Sequence, residues 1–145
     1  MTQEQKNLLL RDLCSRLPYG VKVKFGDSKP APLTVIEHNE FGWQIGSEDE
    51  FGGMVTTIDN VKPYLFPLSS MTKEQYKEWS DLSEEPLDEI LTRNANGEKM
   101  STLEHHLLIA KSLTNPVNYC YKNHFDIYGL IPMGLANDAT GKNIY

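Results

Sequence analysis

Hydrophobic positions recur at two different periods along this chain, and the switch points divide it. Leu9, Leu10, Leu13, Cys14 and Leu17 fall at helical intervals behind Thr2 and Gln5, which have capping-box spacing. A helix is therefore predicted over 3–16, ended by Leu17-Pro18-Tyr19-Gly20. The period then drops to two. Val21, Val23 and Phe25 alternate with Lys22 and Lys24, as in a half-buried strand. After a turn-rich loop, Leu33 to His38 is β-branched and apolar enough for a second strand. Phe41, Trp43 and Ile45 alternate into a third, with all three expected inward. Met54 to Ile58 and Val61 to Phe66 give two more, and Pro63 places the last at an edge or bulge.

From Ser70 the helical period returns. Thr72 and Gln75 head a helix through Tyr76 and Trp79, and Ser83 is suited to cap another carrying Leu87, Ile90 and Leu91. Asn94-Ala95-Asn96-Gly97 supplies the stop. Ser101 and Glu104 form a third box ahead of Leu103, Leu107, Leu108, Ile109 and Leu113. Asn115-Pro116 is expected to break that helix and start the next, which carries Val117, Tyr119, Cys120 and Tyr121. The pattern predicts an α+β fold in a single domain, 1–145. A helix occupies 1–19, a small antiparallel barrel-like sheet of the Src-homology-3-like kind 20–68, and a helical region 69–145. A curled open sheet fits the same strand count.

Composition narrows the class. Of 145 residues, 39% are hydrophobic and 23% charged, which indicates neither disorder nor a membrane span. The opening Met1-Thr2-Gln3-Glu4-Gln5 lacks the order of a secretory signal, so the expected address is cytoplasmic. Cys14 and Cys120 read as reduced thiols packed as small hydrophobes. The net charge of −6 is uneven: residues 1–33 carry +3 and the rest −9. An acidic body disfavours a polyanion over the whole surface but leaves a basic face at the N-terminal end.

No catalytic pattern emerges. His105 and His106 are adjacent, so on a helix they point about 100° apart and do not share one ion. Ser47-Glu48-Asp49-Glu50 lacks the spacing of a calcium loop and reads as a solvated acidic loop. Neither a nucleophile elbow nor a phosphate-cradling glycine loop is present, and no cofactor or metal is expected. Tyr64, beside Pro63, is the aromatic expected to be exposed.

The last segment is the most distinctive. It contains Asn123-His124-Phe125-Asp126, Gly129-Leu130-Ile131, Gly134-Leu135-Ala136, Ala139-Thr140-Gly141 and a final Tyr145. Together with Leu9 to Val21 and Val61 to Thr72, these residues resemble a family of phage, prophage and mobile-element proteins of anaerobic gut bacteria. The chain departs from that family in two places. Tyr121-Lys122-Asn123 replaces a Trp-Leu-Asn run, and Pro132-Met133 replaces a Glu-Lys pair. The resemblance implies a genomic setting and no activity. Read physically, Asp126 can cap a turn, the glycines permit close backbone approach, and Leu130, Ile131, Met133 and Leu135 can bury as a clasp. The alternative places His124, Asp126 and Tyr128 in a recognition surface.

The expected function is a non-enzymatic protein-interaction module with an unidentified protein partner, touching it through Tyr64 or through His124, Asp126 and Tyr128. The second expectation, from another class, is nucleic-acid binding by Arg11, Arg16, Lys22 and Lys24. A third is an enzyme with an unrecognised site, which requires a deep pocket holding His124 or Asp126.

Overall fold

The computed structural model describes residues 1–48 and 53–145. The expectation at Asp49-Glu50 lies outside the described residues. The fold is α+β. Helix α1 (Gln3–Arg16) is followed by β1 (Lys22–Phe25), β2 (Ala31–Pro32), β3 (Val35–Asn39), β4 (Gly42–Ser47), β5 (Met54–Thr57) and β6 (Val61–Pro67). Helices α2 (Lys73–Ala95) and α3 (Thr102–Lys122) come next, then the short strands β7 (Phe125–Asp126) and β8 (Asn137–Asp138). Two compact units result: residues 1–68 with 124–145, and residues 69–123.

In the first unit the described strands do not close into a barrel. They form two sheets, one ordered β2-β1-β6-β7 with β8 also on β6, the other ordered β3-β4-β5. The pairs among β1 to β6 are antiparallel, whereas β7 and β8 join β6 in parallel. Strand β6 is thus interior, not the edge that Pro63 suggested. Gly26 N–H donates to Asn60 O at 3.0 Å, which fixes the phase of the β1–β6 ladder. By alternation, residues 62 and 64 aim their backbone groups at β1, and Pro63 turns its nitrogen away. On that other side β8 begins to pair only at Tyr64, so the missing N–H is not needed.

One hydrophobic core holds this unit. Leu9 and Leu13 from α1 meet Val23 and Phe25, Val61 and Leu65, and then Leu130 and Leu135 from the C-terminal segment. Ile45 reaches the same core, but Phe41 and Trp43 do not: they are 78% and 42% exposed. Their strand parity is as expected. However, Phe41 sits in the two-residue turn between Asn39 and Gly42, and Trp43 pairs with His38 next to it, so both lie at the hairpin tip.

The second unit is an α2–α3 hairpin. All three capping boxes form as spaced, at Thr2/Gln5, Thr72/Gln75 and Ser101/Glu104. The internal breaks do not. Ser83 donates its hydroxyl to Ser80 O instead of capping, and α2 runs unbroken through Pro86. Likewise α3 continues through Pro116. Both prolines are buried. Each costs a helix hydrogen bond, and the packing between the two helices offsets that loss.

Candidate functional site

The C-terminal segment gathers most of the residues singled out by sequence, and it gathers them inward. Asp126 accepts from Leu130 N–H and Ile131 N–H, both at 2.8 Å, so its two oxygens cap the turn that follows. Gly129 and Gly134 take left-handed backbones (φ 69° and 72°). An added Cβ at Gly134 would meet nothing within 4 Å, and at Gly129 only Pro132 Cγ at 3.7 Å, so dihedral freedom and not close approach is what these glycines supply. Leu130 and Leu135 are buried as expected, whereas Met133 is exposed. Tyr128 is partly buried and packs against the core.

His124 adopts φ 59°, the one non-glycine described residue in the left-handed region, and its carbonyl accepts from Phe66 N–H at 2.9 Å. Its ring stacks on Tyr145 at 4.1 Å and 11°. Burial, helped by the nearby Arg16 charge, holds the imidazole down to about 4, so it is neutral at pH 7. Tyr145 then reaches the ladder between β1 and β6. At the rung that residues 22 and 64 would make directly, Lys22 N–H donates to Tyr145 Oη at 3.3 Å, and Tyr145 Oη donates to Tyr64 O at 2.6 Å. Burial pushes this phenol up to about 12.

Two expectations about individual residues are corrected here. Arg16 is not part of a basic surface; it is fully buried. Its Nε and Nη2 bond Asp12 at 2.7 and 2.9 Å, one helical turn earlier, and Nη2 also donates to Phe125 O at 2.6 Å. Burial pushes the Asp12 carboxyl up, against the opposing pull of this guanidinium. Tyr64, expected to be exposed, is 8% exposed because β8 flanks it and Lys142 Nζ lies 5.6 Å from its ring centroid. Tyr64, His124 and Asp126 therefore present almost no side chain to a partner.

Two surfaces do face outward. On the first unit, Lys22, Lys24 and Lys62 share the sheet face opposite the core, since Val23, Phe25, Val61 and Leu65 point the other way. Arg11 is exposed on α1. Sequence singled out Lys22 and Lys24 but missed Lys62; its even position in β6 was the available signal.

The other surface is on the hairpin. Leu108, Ser112, Pro116 and Cys120 recur every four residues on the buried side of α3. Leu103, Leu107 and Val117 lie toward the opposite side by about 100° steps, with Leu113 at its edge, and all four are exposed, Leu103 by 69% and Leu113 by 68%. On α2, Leu87 and Leu91 are exposed as well. Tyr119 Oη donates to Glu78 at 2.9 Å across the hairpin, and Arg93 pairs with Glu98 at 3.2 Å beside the connecting loop. The signal for the outer stripe was present in sequence: α3 carries more leucines than one face can bury.

Among the described residues, no group of three or more His, Cys, Asp and Glu side chains is placed to hold a metal ion. No described helix is long and apolar enough to cross a membrane. No family model, curated protein or solved structure matches this chain.

Proposed function

We propose that this chain is a non-enzymatic protein-interaction module, of the mobile-element setting its resemblance implies, and that it contacts its partner through the outer face of the α2–α3 hairpin. The stripe Leu103, Leu107, Leu113 and Val117 carries the reading. Large apolar side chains scattered singly on a surface mean little, but two exposed i,i+4 pairs of them along one helix are what docking surfaces present. Its neighbour α2 has seven acidic against three basic residues. The matching partner surface is an apolar helix or ridge bordered by lysine and arginine.

The test places a photo-crosslinking phenylalanine analogue at position 107 of the full chain, or at 74 as control, in the native host. A discrete protein adduct from 107 alone, lost when Leu113→Glu is added, is the expected result. No adduct at 107, or one indifferent to Leu113→Glu, overturns the reading.

A further inference from the structure

The outer sheet face of the first unit holds an arrangement that the hairpin reading does not use. Lys24 and Lys62 are direct partners in the β1–β6 ladder, so their side chains leave the same face side by side. Like charges placed opposite one another in an antiparallel pair destabilise the sheet. Neither lysine has a carboxylate within ion-pair distance among the described residues. Asp59, which lines the same depression as these lysines, is already engaged by Lys6 at 2.6 Å.

Between these lysines the surface is concave. A depression of about 340 Å³ is lined by Lys24, Gly26, Asp59, Asn60, Lys62 and Asn137. Asn137 belongs to β8, next to Tyr64, and its amide nitrogen is buried without a hydrogen-bond partner. A buried donor left unmatched costs stability, as does the unrelieved lysine pair; an acceptor-rich anion relieves the pair directly and the donor once the Asn137 side chain turns toward it. We infer that this depression is a binding site for a single phosphate group, free or carried on a small molecule, held by Lys24, Lys62 and the Asn137 amide.

The geometry favours one compact dianion over a polyanion. Lysine ammonium groups grip phosphate as point charges, and the amide supplies a directional donor. A nucleic-acid strand needs cations continued along its track. Lys22 extends the pair on the same face, yet Arg16 is buried and the first unit as a whole is acidic.

The experiment titrates inorganic phosphate into the full chain at constant ionic strength, with chloride as the exchanged ion, by calorimetry and by melting temperature. Saturable binding is expected, weakened at least about tenfold by Lys62→Ala and by Lys24→Ala but not by Lys29→Ala. Lys62→Glu gives a second readout, because it replaces the repulsive pair with an attractive one. It should raise the melting temperature without phosphate while abolishing the phosphate response. Three results overturn the inference: a shift that does not saturate, equal phosphate binding by Lys62→Glu, or no change in the ligand-free melting temperature of that variant. A short oligonucleotide that outcompetes phosphate with a steep salt dependence also overturns it, and makes the face a strand track instead.

Discussion

The C-terminal segment and the outer face of α3 are both rich in apolar residues, and the structure uses them in opposite ways. Residues 124–145 turn Leu130, Leu135 and Phe125 into the core and give the Asp126 carboxylate internal partners. The outer stripe of α3 turns Leu103, Leu107 and Leu113 to solvent, with its other face already packed. The difference lies in punctuation. Where glycine and an aspartate cap bend an apolar segment, the residues close on their own domain. Where an uninterrupted helix carries more leucines than one face can bury, the surplus is left for something else.

If that contrast holds, substitutions inside the first unit should be costly and substitutions on the stripe nearly silent. The largest effect belongs to Arg16→Met. It leaves Asp12 buried without its counter-charge and takes a donor from Phe125 O, for a loss of about 3–5 kcal/mol. The chain has two tryptophans, Trp43 in β4 and Trp79 in α2, so a Trp79→Phe background lets fluorescence follow denaturant unfolding of the first unit alone. Adding Asp12→Leu to Arg16→Met should recover much of the loss, since the pair's desolvation cost then disappears as well.

The next effect depends on pH. His124 has a folded-state value near 4 against an ordinary 6.5, so between those values the unfolded chain takes up a proton that the folded chain refuses. Its contribution is fully present above about pH 6.5, falls as pH drops toward 4, and is spent below that. The shift corresponds to a loss on the order of 3 kcal/mol at most. His124→Asn should flatten this part of the stability profile, because Asn tolerates the left-handed backbone and does not titrate there. An unchanged slope in the variant would show that other groups cause it.

These two groups also show where sequence reading stops. Five of the six strands between residues 20 and 67 (all but β2), α1 and all three capping boxes are local properties, and hydrophobic period and side-chain spacing reveal them. Arg16 could not be placed that way. Its partner Asp12 stands one turn away at an ordinary salt-bridge spacing, and only the return of Phe125 from 109 residues later closes the site around them. Phe41 and Trp43 had the right parity, but parity does not say where a hairpin runs past its core. Pro86 and Pro116 misled for the converse reason. Local helix-breaking preference was overridden by packing between α2 and α3, which no local window contains.

A smaller effect is expected at the chain's final residue. Tyr145→Phe keeps the stack on His124 but removes the hydroxyl from the ladder, leaving Lys22 N–H and Tyr64 O without their bridge. Partial access of water to this rung limits the cost to about 1–2 kcal/mol. Hydrogen exchange at the Lys22 amide should accelerate along with it. Equal exchange in both proteins would mean that the two strands close directly once the phenol is gone.

The smallest effect is the one that gives the contrast its meaning. Leu113→Glu puts a charge on α3 where water already reaches most of the side chain, so stability followed through Trp79 should change by no more than about 0.5 kcal/mol. Leu108→Ala on the buried side of the same helix should cost about 2–3 kcal/mol through the cavity it leaves. If the glutamate costs as much as that cavity, Leu113 is holding the hairpin together and the stripe is core. If it costs almost nothing, five residues along one helix separate a side chain that folds the protein from one that folding does not require, and the leucine is there for contact.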